Sequence, residues 1–303
     1  QMCIRDRVVA LNTASGQTFN NALLADCTTA AAISTDDLLG YIQIIEGSNS
    51  VPLAGQTCTL SFYVQSSVAG RYYVAFKIGS ARSYIASYDI AQADTWEKQT
   101  ITLTMDTLAQ LESGGSLTNG SGFQIHFTLR SSISGQLTDS INQWVDGNFY
   151  AKSGMAAWGT STDHNWYLAG VQLELGSQAT SFEHRSFGEE LALAQRYLQT
   201  LRGGLQGWCT NSNGNCLWTY PLHPTMRSAP TITATSTSYR FGDASTLGVN
   251  MTNISISAND YNSKECVAWL VSGTKSGTPT QFRNQILEPS SSGFATFLFT
   301  SEL

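Results

Sequence analysis

The sequence predicts an all-β protein: an N-terminal jelly-roll β-sandwich, one linking α-helix and a smaller C-terminal β-domain. Short runs rich in β-branched and aromatic residues recur along the chain with period-2 alternation, each bounded by Gly, Ser, Asn or Asp clusters. No amphipathic helices separate them, as a parallel α/β sheet would require. Charged residues make up only 13% of the chain, about half the usual share. With 303 residues there is enough chain for two domains that each bury a core without metals or disulfides.

Met2 to Arg7 reads MCIRDR, the translation of a common transposon-based sequencing adapter. Residues 1–7 are therefore set aside as an artefact on a truncated metagenomic gene. The natural protein is expected to extend further upstream and to end at its own C-terminus. From Val8 to Ala31 the signal is thin, with a first strand at Val8 to Leu11. Strands follow at Leu39 to Glu46, Thr57 to Gln65, Tyr72 to Ile78, Tyr84 to Tyr88, Trp96 to Met105 and Phe123 to Leu129. Five or more such strands with turn signals at short intervals define an antiparallel sandwich. Asn165 to Leu175, in which Trp166, Leu168, Gly170 and Gln172 alternate with Tyr167, Ala169, Val171 and Leu173, closes it.

Between Ser131 and His164 lies a long irregular segment holding Trp144, Phe149, Tyr150 and Trp158 among Gly, Ser, Asn and Asp. Its aromatic content disfavours disorder. Two readings stand: the rings plug one end of the sandwich, or Trp144, Tyr150 and Trp158 stack on sugar rings, whose C–H faces suit an aromatic plane.

Ser186 and Glu189 form a capping box, and Arg202 with Gly203-Gly204 marks a stop. A helix from Phe187 to Leu201 then puts Phe187, Leu191, Ala194, Leu198 and Leu201 on one stripe. That stripe suits docking on a β-domain or a short self-associating seam. The organisation read from these signals is a sandwich over residues 8–185, a linking helix over 186–204 and a β-domain over 205–303. The last has strands at Gln206 to Cys209, Cys216 to Tyr220, Thr231 to Thr235, Val249 to Ala258, Cys266 to Ser272 and Phe294 to Phe299.

The net charge is −6 and no Lys/Arg run occurs, which disfavours nucleic acid as a partner. No apolar run approaches the roughly 20 residues that span a bilayer, and no export signal is present. Cys209 and Cys216 flank an Asn213-Gly214 turn. They can bridge across a hairpin or remain two buried thiols, the simpler reading in a reducing cytoplasm. The other cysteines show no zinc spacing.

No catalytic constellation is visible. His126, His164, His184 and His223 are scattered, and no GxSxG, HExxH, P-loop or dinucleotide fingerprint occurs. Glycoside hydrolysis needs two carboxyl groups about 5 to 10 Å apart. Asp89, Asp94, Asp106, Glu112, Asp146 and Asp163 mostly fall in turns, where Asp bonds its own backbone. No cofactor is implied. A structural calcium is compatible with such a sandwich, but no DxDxDG-like loop marks one.

The segment W-x-L-x-G-VQLE-x-G-x-x-AT-x-FE-x-R (Trp166 to Arg185), running into GEELALAQRY, resembles the junction of tailed-phage minor structural and tail-fibre proteins. HPTMRSAPT (His223 to Thr231) and FLFTSEL (Phe297 to Leu303) resemble the opening and close of their terminal domain. Ala194 stands where relatives often carry cysteine. The resemblance implies a carbohydrate-binding-module-like, galactose-binding-like sandwich in a non-enzymatic subunit of a phage tail, assembled in the host cytoplasm. It further implies host-surface glycan or receptor binding, other virion tail proteins as partners, and a homo-oligomer, by preference a trimer. The alternatives are a carbohydrate-binding module of a bacterial polysaccharide-degrading protein and a tail-associated depolymerase. Glu174 and Glu183 belong to this motif, with Arg185 as their expected ion-pair partner.

Overall fold

A computed structural model describes residues 4–10, 19–32, 37–202, 205–209, 216–234, 238–243, 246–258, 262–275, 284–289 and 296–301. The chain divides into two compact units, Gln1–His184 and Arg185–Glu302. Both are built from antiparallel strands. Among the described residues no helix is long and apolar enough to cross a membrane.

The first unit begins with β1 (Ile4–Ala10), β2 (Asn21–Cys27), β3 (Leu38–Glu46), the one-turn helix α1 (Gly47–Ser50) and β4 (Thr57–Ser66). It continues with β5 (Gly70–Ile78), β6 (Arg82–Ile90), β7 (Glu97–Thr104), α2 (Leu108–Gly114), β8 (Ser121–Ser131), β9 (Trp144–Asp146) and β10 (Asn165–Leu175). These strands form two five-stranded sheets, ordered β1-β2-β10-β4-β7 and β3-β8-β5-β6-β9. Successive strands repeatedly cross from one sheet to the other, the wiring of a jelly roll. Period-2 alternation sends Leu60, Phe62 and Val64 of β4 into one core with Val74 and Phe76 of β5 and Ile125 and Phe127 of β8. Phe62 meets Phe127 edge-on at 5.1 Å, and Trp166 of β10 stacks on Tyr41 of β3 at 5.9 Å. These aromatic pairs couple the two sheets directly.

The closing strand β10 is bulged between Ala169 and Gln172. Gly170 takes φ +57° there, and a Cβ would stand 2.2 Å from the Phe19 ring. The rest of the junction motif ties the chain back on itself. Glu174 accepts from the Thr180 amide (2.8 Å) and hydroxyl (2.7 Å), and Gln172 Oε1 accepts from the Glu183 amide (2.8 Å). Arg185 pairs not with Glu174 or Glu183 but with Glu190, at 3.4 Å. The two motif carboxylates differ from the expectation because backbone and side-chain donors closer in sequence reach Glu174 first.

β2 was not foreseen. NALLADC, paired on both edges by β1 and β10, alternates poorly, and most of its residues on both faces are buried or half-buried. Ile4 to Arg7, set aside in the sequence, pair in register with Leu24 to Cys27. Ladder bonds at an edge are made by backbone groups, so the position accepts any extended segment.

The second unit holds α3 (Phe187–Gln195), β11 (Leu198–Arg202), β12 (Leu205–Cys209), β13 (Cys216–Pro221), β14 (Thr231–Ala234) and β15 (Ser238–Asp243). β16 (Thr246–Ala258), β17 (Cys266–Lys275), β18 (Asn284–Pro289) and β19 (Thr296–Thr300) complete it. Six strands close into a barrel, β12-β13-β17-β16-β15-β18, and three form a sheet, β11-β19-β14. Its buried side chains include Trp218, Leu222, Met226, Val267, Phe297 and Phe299. In β12 and β13 the register sets Cys209 opposite Cys216. Thr235 and Phe294, expected at strand ends, lie outside the described residues, as do Leu11, Gly203 and Gly204.

The helix is shorter than its periodicity suggests. The capping box is present, with Ser186 Oγ accepting from the Glu189 amide and Glu189 accepting from the Ser186 amide. But α3 ends at Gln195, and Leu198 to Arg202 pair with Thr296 to Thr300 as β11. Leu198 and Leu201 therefore do not extend the helical stripe of Phe187, Leu191 and Ala194. The i, i+3 spacing of Leu198 and Leu201 is helical, but a partner strand far along the chain overrides it and puts the two leucines on opposite faces of β11.

Candidate functional site

The outer face of the β3-β8-β5-β6-β9 sheet is where polar and aromatic side chains converge. Along β8 the alternation that buries Ile125 and Phe127 turns Gln124, His126 and Thr128 outward, and on β5 it does the same for Tyr73, Ala75 and Lys77. Residues 132–157 fold over the middle of this face. Leu137, Ile141, Phe149 and Met155 pack on Tyr73, Ala75, Ile85 and Ala151, a second small core outside the sandwich. Polar ties fasten this cover. Ser83 Oγ donates to the Gly147 carbonyl (2.7 Å) and accepts from the Phe149 amide (3.0 Å). Thr128 Oγ1 donates to the Tyr150 carbonyl at 2.9 Å, and Lys77 Nζ donates to Asn148 Oδ1.

The cover stops short of β3, and an open cleft of about 260 Å³ remains, lined by Leu38, Gly40, Tyr41, Ile42, His126, Thr128 and Tyr150 among others. Gly40 shapes it: a Cβ there would lie 2.3 Å from the Phe127 carbonyl oxygen, so only glycine lets β3 approach β8 so closely at the bulge between them. Ile42, 50% exposed, is its apolar floor at the open edge. Tyr150 is its wall. The ring is met edge-on by His126 at 5.2 Å, and the Lys77 ammonium lies 3.7 Å from its centroid. His126 Nε2 donates to Gln124 Oε1 at 3.1 Å. Burial first, and the charge of Lys77 second, push His126 down to about 4, so the ring is neutral at physiological pH. Burial also pulls Lys77 below its ordinary lysine range.

The three aromatic residues singled out in the sequence are not brought together. Tyr150 lines the cleft. Trp144 packs against the main core, its Nε1 donating to the Thr104 carbonyl (2.9 Å) and its ring packed on Tyr84 and Phe123. Trp158 is 0% exposed, within the main core, and has no face to offer a ligand. Both rings pack with the main hydrophobic core, not in the cleft. Lys77, Ile42 and Thr128 were missed. Each is an outward residue in a clean alternation, and the alternation carries no sign that a distant segment will enclose it.

Among the described residues, no carboxylate lines the cleft. Asp89 pairs with Arg71 at 2.8 Å, while Asp106 and Asp146 both pair with Arg82 at 2.7 Å. Asp163 bonds Ser161 within its own turn. His164 Nδ1 accepts from the Gly159 amide, and His184 packs on Phe182 and Phe19. Among the described residues, no group of three or more His, Cys, Asp or Glu is placed to hold a metal ion.

Fold and cleft together define a two-unit all-β protein whose sandwich carries a small cleft of aromatic, apolar and neutral polar side chains. No protein-family model and no curated protein matches the chain. Among solved structures it is similar to the N-terminal CBM22-1-CBM22-2 tandem domain from Paenibacillus barcinonensis Xyn10C. That likeness has TM-score 0.27 and 11% identity, over 100% of this chain and 85% of that one. It is also similar to the botulinum neurotoxin serotype C1 binding domain, with TM-score 0.21 and 9% identity, over 98% and 94%. Neither score is high enough to bear on the site.

Proposed function

We propose that this chain is a non-enzymatic subunit of a tailed-phage virion whose sandwich binds a host-surface glycan in the Ile42–His126–Tyr150 cleft. The observation that carries the binding reading is the lining itself. It has an aromatic wall, an apolar floor, a neutral imidazole and a threonine hydroxyl, and no carboxylate that would serve as general acid or nucleophile. Such a surface binds sugars by C–H contact with a ring and by hydrogen bonds, each weak, and is suited to many copies on one particle. The tail assignment is supported by the junction motif, and it brings with it other tail proteins as partners and a trimer as the favoured assembly. The test is a glycan array probed with the intact chain and with Tyr150→Ala. Loss of the stacking wall should weaken every hit by roughly 1 to 3 kcal/mol, with an unchanged circular dichroism spectrum. Equal binding by both proteins would place the glycan site elsewhere.

A further inference from the structure

The cations on this sheet and its cover divide into two kinds. Arg71 meets Asp89, Arg82 meets Asp106 and Asp146, Arg130 meets Asp37, and Lys152 meets Asp139. Each has a carboxylate. Lys77 has instead the amide oxygen of Asn148 and the face of the Tyr150 ring, although it is as deeply buried as Arg130, each at 2% exposed. An amide and a π face lower the cost of burying an ammonium but do not neutralise it. Its charge therefore extends to its surroundings, which hold little water to screen it. Tyr150 covers the ammonium and also lines the cleft, and Lys77 depresses the basicity of His126, another lining residue. Among the described residues, the cleft lining contains no carboxylate to cancel that field. The chain as a whole is acidic, at −6, but charges more than about 10 Å away are largely screened.

We infer that the cleft selects acidic sugars: the ligand's own carboxylate or sulfate supplies the counter-charge that Lys77 lacks, while its ring stacks on Tyr150. This rests on the glycan-binding reading above. An anion at the cleft would gain attraction from a charge whose desolvation the fold has already imposed, so discrimination between an acidic sugar and its neutral counterpart follows from the field alone.

The experiment is a glycan array containing uronic, sialylated, sulfated and neutral members. Isothermal titration of the strongest hit then follows, beside its methyl ester or its desulfated form. Acidic hits should dominate, and esterification or desulfation should cost roughly tenfold or more in affinity. In Lys77→Met, whose unbranched apolar chain fills the same space, the acidic ligand and its esterified or desulfated form should bind alike. Loss on esterification identifies a carboxylate as the counter-ion, and loss on desulfation identifies a sulfate. A wild-type measurement needs no variant to fold: raising salt from about 0.05 to about 0.5 M should weaken the acidic ligand and leave a neutral one unchanged. Neutral glycans binding as well as acidic ones, or a preference that survives Lys77→Met, would overturn the inference and leave the glycan-binding reading intact. No hit of either kind would overturn both.

Discussion

At the scale of single residues, His126 shows how burial changes what a side chain can do. From the sequence, a histidine in mid-strand is either hydrogen-bonded or outward-facing, and here it is both, because the outward face of β8 is itself covered. Covering the ring has a cost that depends on pH. Unfolded, the imidazole titrates near 6.5; folded, it titrates at about 4. Between those values the unfolded chain binds the proton and the native one does not, so native stability rises with pH across the window and is lost as pH falls through it. Above 6.5 both states are neutral, and below 4 both are charged, so no slope arises from this group outside the window. At about 1.4 kcal/mol per pKa unit, the loss between pH 6.5 and 4 should reach roughly 3 kcal/mol. His126→Gln keeps a polar group beside Gln124 and cannot titrate. Urea unfolding at stepped pH should show the wild type falling more steeply than the variant across that interval. Parallel curves would mean that the ring titrates alike in the native and unfolded states.

At the scale of elements, the cover over residues 132–157 is the part of the site that the sequence disclosed least. Its length and aromatic content announced a packed segment, and β9 and the Leu137–Ala151 bridge are too short to leave a periodic trace. What holds it is a set of ties to strands far away in sequence. Ser83 makes two of them with one hydroxyl, to Gly147 and Phe149. Replacing it by alanine leaves a partly buried carbonyl and a partly buried amide without their partner, which should cost roughly 1 to 3 kcal/mol. Because the ties are local to the cover, that cost should appear first as opening of the cover and not of the sandwich. In Ser83→Ala, amide hydrogen exchange should accelerate across residues 137–151 while β4 and β5 keep their protection. Uniform acceleration over the whole first unit would show that cover and sandwich unfold as one. The same dependence on distant partners explains β11. Leu198 to Arg202 read as the last turn of a helix until β19, nearly a hundred residues later, is placed beside them. It also explains the barrel, whose closure depends on the β12–β18 and β15–β18 pairings that no local window records. Sandwich strands such as β7, by contrast, were legible because they bury one face, and burying one face is what alternation encodes.

At the scale of the whole molecule, the helix α3 is the feature that the fold of one chain leaves without a purpose. It has no buried residue; Phe187 is 82% and Leu191 43% exposed on the same stripe as Ala194. At nine residues it is roughly 13 Å long, fewer than two heptads, so a seam made of α3 alone would be marginal. An assembly that uses it must therefore draw further contacts from the β-units, and the helix would set the register of the association more than its strength. This predicts an oligomer whose mass depends on concentration and which is sensitive to charge on the stripe. Light scattering of the intact chain should give a mass above the 32.8 kDa monomer, three times that value for the trimer that the tail reading favours. Phe187→Asp with Leu191→Asp places two carboxylates where each copy would meet another, and desolvating them costs more than a short apolar seam returns. The double variant should run as a monomer at micromolar concentration with its circular dichroism unchanged, since neither side chain contributes to a core. A monomeric wild type would remove the assembled-subunit reading. An oligomer that survives both substitutions would keep that reading and move the interface off the helix and onto the strands.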